Sequence, residues 1–165
     1  MDFKRIAKHL MMTHWQVNSH FNQVLLSRIE KAIKQSEMAH VGEIRFVVEG
    51  ALDGMLLFQG QTARERALDV FSHLRMWDTE NNNGVLIYLL YADRDVEIIA
   101  DRGIHSKVQA GQWSLICRQM ETAFKNGNYE NGAISGIHAV TLSLAEHFPA
   151  EDDVKNHLPD RPLIL

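Results

Sequence analysis

Val85 to Ala92 is a run of eight apolar residues, the longest in the chain. It suits one buried strand and falls far short of the roughly 20 residues that a membrane-spanning helix needs. A strand with no polar face has no side to give to water, so it must be covered on both faces. That demand excludes a bare hairpin and points to a layered α/β domain. The run leads into Asp93-Arg94 and then into a second strand-like segment, Val96–Ala100. Together they read as an antiparallel hairpin. With Asp93 and Arg94 as a two-residue loop, Leu86 should face Asp101 and Gly84 should face Gly103.

Helical and strand periodicities alternate around this hairpin. Asp2–Trp15 reads as a short helix and Phe21–Glu37 as a longer one, with Phe21, Val24, Leu25, Ile29, Ala32 and Ile33 on one face. Glu43–Glu49 alternates as a strand, with Ile44, Phe46 and Val48 opposite Arg45 and Val47. Gly50–Gly60 reads as a loop. Thr62-Ala63-Arg64-Glu65 is a capping box that opens a helix to about Met76. Ser106–Phe124 and Asn131–Phe148 supply two more helices. The helix between the first two strands makes them parallel with a right-handed crossover. The expected fold is a three-layer α/β/α sandwich with a small mixed sheet, combining a parallel crossover with an antiparallel hairpin.

At 165 residues the chain fits one domain, and a net charge of −4 excludes a strongly basic nucleic-acid binder. The single cysteine, Cys117, excludes a disulfide scaffold and reads as a small core residue. Charged residues interrupt the first 21 positions, so no secretory signal is expected and the chain reads as cytoplasmic, with no transmembrane segment. The stripe Phe3, Ile6, Ala7, Leu10 and Met11 should pack on its own domain. The basic residues beside it (Lys4, Arg5, Lys8 and His9) offer a second reading, contact with an anionic membrane surface. Residues 1–20 thus form a helical extension, 21–150 the domain, and 151–165 a tail that Leu163, Ile164 and Leu165 could dock.

The hairpin brings the polar loop Trp77–Gly84 beside Asp101-Arg102-Gly103. That rim gathers Asp78, Glu80, Asn81, Asn82, Asn83 and Asp101. Such hard oxygen donors suit Ca²⁺ or Mg²⁺, and Asp78, Glu80, Asn82 and Asp101 are the expected metal ligands. The plain alternative is a polar turn in which Asn and Gly accept positive φ. Asp101 and His105 are the candidate acid/base pair, and Arg102 is a candidate anion contact. A second candidate site, Glu49, Asp53, Asp93 and Asp95, lies at the carboxyl ends of the two parallel strands, where open α/β sheets often bind ligands. No P-loop, dinucleotide loop, zinc motif or nucleophile elbow occurs.

Asn83-Gly84-Val85-Leu86-Ile87-Tyr88-Leu89-Leu90, followed by Val96–Ala100 and Asp101-Arg102-Gly103-Ile104, resembles the TPM domain family. Phe124-Lys125-x-Gly127-x-Tyr129-x-x-Gly132 resembles the family's segment between its last helices. The likeness spans roughly Phe21 to Phe148 and makes 21–150 a TPM-like domain. It implies an α/β/α sandwich, a divalent cation (calcium especially) on the acidic loop and strand-end motif, and a membrane-associated partner of the LemA type. Plant thylakoid-lumen members are described as acid phosphatases, so the resemblance also carries a metal-assisted phosphatase reading. A metal-free interaction domain is the third reading. Two departures stand out: no signal or anchor segment is seen, and the loop Asp78–Asn83 is less acidic than in some members.

Overall fold

The computed structural model describes residues 3–150 and 158–165. Met1, Asp2 and the expected tail residues 151–157 lie outside the described residues. The elements run α1 (Phe3–Leu10), α2 (His14–His20), α3 (Gln23–Ser36), β1 (Glu43–Glu49), α4 (Gly54–Phe58), α5 (Ala63–His73), β2 (Gly84–Leu90), β3 (Asp95–Ala100), α6 (Arg102–His105), α7 (Gln112–Lys125), α8 (Tyr129–His147) and β4 (Leu163–Ile164).

β1 and β2 are buried along their whole lengths. They pair in parallel, Glu43 with Gly84 through Glu49 with Leu90, and β3 adds antiparallel to β2. The sheet order is β3-β2-β1-β4. Alternation divides the side chains between two cores. Ile44, Phe46, Val48, Val85, Ile87 and Leu89 pack against α3, α7 and α8. Val47, Leu86, Tyr88 and Leu90 pack against α5 and the residues around α4. The expected sandwich with its small mixed sheet is therefore the fold.

The hairpin register differs from expectation by two residues. Leu86 faces Ile99, and the Asp101 N–H donates to the Gly84 carbonyl at 2.8 Å. The turn has four residues because Tyr91 and Ala92 donate their N–H groups to the Glu49 and Gly50 carbonyls, remaining beside β1. Arg94, at φ 55°, closes it. A two-residue shift keeps every side chain on its expected face.

Three local departures have visible causes. Thr13 and Gln16 form a capping box that ends α1 and starts α2. Gly111 (φ 84°) separates the short α6 from α7, so Ser106–Phe124 is not one helix. α4 lies inside the expected loop, its end marked by Gly60 at φ 77°. At the C-terminus, Leu163 and Ile164 pair with Val47 and Val48, and the Leu165 carbonyl accepts the Gly50 N–H.

Edge strand β3 has its outward backbone groups covered by side chains. The Val96 N–H donates to Glu121 Oε1 at 3.1 Å, and Arg64 Nη1 donates to the Ile98 carbonyl at 2.9 Å.

Gly84 and Gly103 let the polar loop lie flat on the end of the hairpin. A Cβ on Gly84 would meet the Met76 carbonyl, and one on Gly103 would meet the Asn81 and Asn82 carbonyls. Backbone cannot yield as a flexible side chain can. Gly103→Ala is expected to destabilise the domain by about 1–3 kcal/mol. Urea unfolding will read that loss, and amide shifts should concentrate at Asn81–Asn83.

Candidate functional site

The loop 77–84 and the segment 101–103 adjoin at the amino ends of β1 and β2. The loop is held by its own bonds. The Asn83 N–H donates to Thr79 Oγ1 at 3.0 Å, and Asn83 Nδ2 donates to the Val41 carbonyl at 3.4 Å. Arg75 and Asn82 occupy the left-handed region at φ 53° and 50°. The Ile104 N–H donates to the Asn82 carbonyl at 3.3 Å, joining the loop to α6.

The expected ligands fall into two groups. Asp78 and Glu80 are exposed and line a cavity of about 600 Å³ with Leu74, Arg75, Thr79 and Leu158. Asp78 pairs with Arg75 at 3.0 Å. Asn82 and Asp101 meet through Arg102, whose Nε donates to Asn82 Oδ1 at 3.3 Å and whose backbone N–H donates to Asp101 Oδ1 at 2.7 Å. Arg102 therefore braces the two segments. The exposed His105 donates its backbone N–H to the Asp101 carbonyl. Among the described residues, no three His, Cys, Asp or Glu side chains gather as a metal cage.

One atom of the rim stands out. Asp101 Oδ2 is buried and has no hydrogen-bond partner among the described residues. A buried carboxylate oxygen left without a donor is costly. Beside it in the chain, Gly103 holds the peptide oxygens of Asn81 and Asn82 close. One carboxylate with carbonyl and amide oxygens is a donor set that fits a hard cation in a largely hydrated site.

The second candidate site is not one cluster. Glu49 is buried, takes a bidentate interaction from Arg66 at 2.9 to 3.2 Å, and accepts the Tyr88 hydroxyl at 2.6 Å. Burial and the Glu49 charge push the Tyr88 hydroxyl's pKa upward. Asp93 takes Arg5 Nε at 2.8 Å and lies 3.0 Å from His9 Nε2. His9 Nδ1 accepts the Leu52 N–H at 3.0 Å, and Arg5 also donates to the Gln61 carbonyl. α1 thus closes the carboxyl end of the parallel strands. Asp53 stands at the N-cap of α4 without a side-chain cap bond. Burial, with Glu97, Glu121 and Asp93 adding, pushes the Asp95 carboxyl up to about 6. Cys117 is buried, and chiefly for that reason its thiol is pushed up to about 12, which suits a core residue.

Sequence reasoning missed the partners. Arg66 sits on the exposed-looking start of α5 and gave no signal of reaching Glu49. The Arg5 and His9 contacts span 88 and 84 positions to Asp93, beyond any local pattern.

The TPM domain family's sequence model matches residues 19–142. The NMR structure of BA42 from the psychrophilic bacterium Bizionia argentinensis is 31% identical, covers 86% of this chain and 92% of its own, and superposes with a TM-score of 0.75. The N-terminal domain of a P. gingivalis protein, solved by NMR, shares the fold at 21% identity and a TM-score of 0.62, with coverage of 77% and 80%. No curated protein matches.

Two outcomes are expected around the second site. Arg66→Ala leaves the Glu49 charge buried without its partner and should cost about 3 kcal/mol or more in urea unfolding, with Arg66→Lys losing less. Asp95 holds its native proton up to about pH 6, whereas the unfolded chain releases it near the ordinary carboxylate value. Its contribution to stability therefore falls as pH rises through that window. Asp95→Asn should match the parent in melting temperature at low pH and exceed it above about pH 6.

Proposed function

The chain belongs to the TPM domain family, and on that premise we propose that it is a divalent-cation-binding accessory domain whose site is the rim joining 78–84 to 101–103. The observation that carries this reading is Asp101 Oδ2, buried without a hydrogen-bond partner among the described residues. A bound cation supplies the positive charge that this oxygen lacks. Asp101 is the anionic ligand, the Asn81 and Asn82 carbonyls are the neutral ones, and Glu80 adds charge from the exposed side of the loop. Arg75 and Arg102 neutralise Asp78 and orient Asn82, so the net negative field is modest. Few protein ligands and a hydrated site imply weak binding, with Kd about 10⁻⁴–10⁻³ M, and preference for Ca²⁺ over the smaller, strictly octahedral Mg²⁺.

Calorimetric and NMR titration of the full chain with CaCl₂ and MgCl₂ tests this. Amide shifts are expected over Thr79–Gly84 and Asp101–Ile104, with Asp101→Asn weakening binding about tenfold or more. Asp78→Ala should change less. No shift in these segments at millimolar Ca²⁺ overturns the reading. Turnover of p-nitrophenyl phosphate that disappears in Asp101→Asn would replace it with the metal-assisted phosphatase.

A further inference from the structure

α1 is attached the wrong way round for an ordinary surface helix. Such a helix normally turns its apolar stripe to the core and its polar face to water. Here the side that meets the domain carries Arg5, Ile6 and His9, and only His9 is buried. The attachment is largely polar, through Asp93, the Gln61 carbonyl and the Leu52 N–H. The expectation that the apolar stripe packs inward therefore fails for most of its members. Phe3 is 77% exposed, Leu10 65% and Met11 76%. These residues and Ala7 recur three or four positions apart, so they share the outward side. Lys4 and Lys8 flank that side, both exposed. Trp15, the second residue of α2, is 77% exposed. α4, which α1 packs against, adds exposed Met55 and Phe58.

We propose that the outward face of α1, extended by Trp15 and α4, docks the domain on an anionic lipid surface. Three features select this occupant. First, the polar contacts of Arg5 and His9 hold the apolar side away from the domain. Second, the exposed Lys4 and Lys8 lie beside the apolar stripe, whereas the whole chain has a net charge of −4, so the outward side of α1 is locally cationic on an acidic protein. Long lysine stems can lie along acyl chains while their ammonium groups reach phosphate. Third, Trp and Phe with large aliphatic side chains on a short basic amphipathic helix form the composition of an interfacial helix. A protein interface core would instead be depleted of lysine. α1 and Trp15 precede the family-matched region, which begins at 19. The second reading of this stretch, as a membrane contact, thus gains a geometric basis.

The test is co-sedimentation of the full chain with vesicles of phosphatidylcholine alone or mixed with phosphatidylglycerol, at low and high salt. Binding to the anionic vesicles is expected, weakening with salt. Lys4→Glu/Lys8→Glu should weaken it by about 30-fold or more, and Leu10→Ser/Met11→Ser should abolish it. Circular dichroism of each variant will confirm the fold. A variant-free measurement accompanies these: anionic bicelles should broaden or shift the amides of Phe3–Trp15 selectively. Failure to bind anionic vesicles, or binding unchanged in Leu10→Ser/Met11→Ser, overturns the proposal. So does a dimer in solution that Leu10→Ser/Met11→Ser dissolves, which would assign the face to a second copy of this chain.

Discussion

The parallel pairing of β1 with β2 is the contact on which the rest of the domain depends. Both strands are buried on both faces, so their pairing creates two cores at once. Each of the helical layers is needed to cover one face. The pairing also places Glu43 beside Gly84 at one end and Glu49 beside Leu90 at the other. Those two ends then acquire opposite characters.

At the carboxyl end, Glu49 and Asp93 are paired internally. Glu49, Arg66 and Tyr88 form a closed network, and Asp93 meets Arg5 and His9 of α1. Open α/β sheets usually leave this end to ligands. Here the chain's own first helix covers it. At the amino end, the loop and α6 bring backbone oxygens together, and Asp101 keeps one buried oxygen without a hydrogen-bond partner among the described residues. That oxygen lies at the end of the sheet where a ligand is less expected.

The layered fold was legible because its signals are local or periodic. The unbroken apolar run at Val85, the alternation at Ile44–Val48 and the capping box at Thr62 each name an element by themselves. The convergence of Asn82 with Asp101 followed from the hairpin, and survived a two-residue register error because the error kept the side-chain parity. The divergence of Asp78 from Asp101 was not legible. It depends on Arg75 and Asn82 entering the left-handed region, which non-glycine sequence does not announce. Nor could periodicity tell which side of α1 faces the domain. Its amphipathic pattern is plain, but its orientation is set by Asp93, far along the chain.

Both lateral edges of the sheet are closed by modest means. β4 lies along β1 with only two paired residues, and Leu165 prolongs the contact to Gly50. On the other side, Arg64 and Glu121 occupy backbone groups of β3 that a foreign strand would otherwise take. An unguarded β-edge is a template for intermolecular stacking. The β3 edge is thus guarded by two charged side chains of opposite sign. A chain that crowds at a surface, at high local concentration, gains most from such a guard.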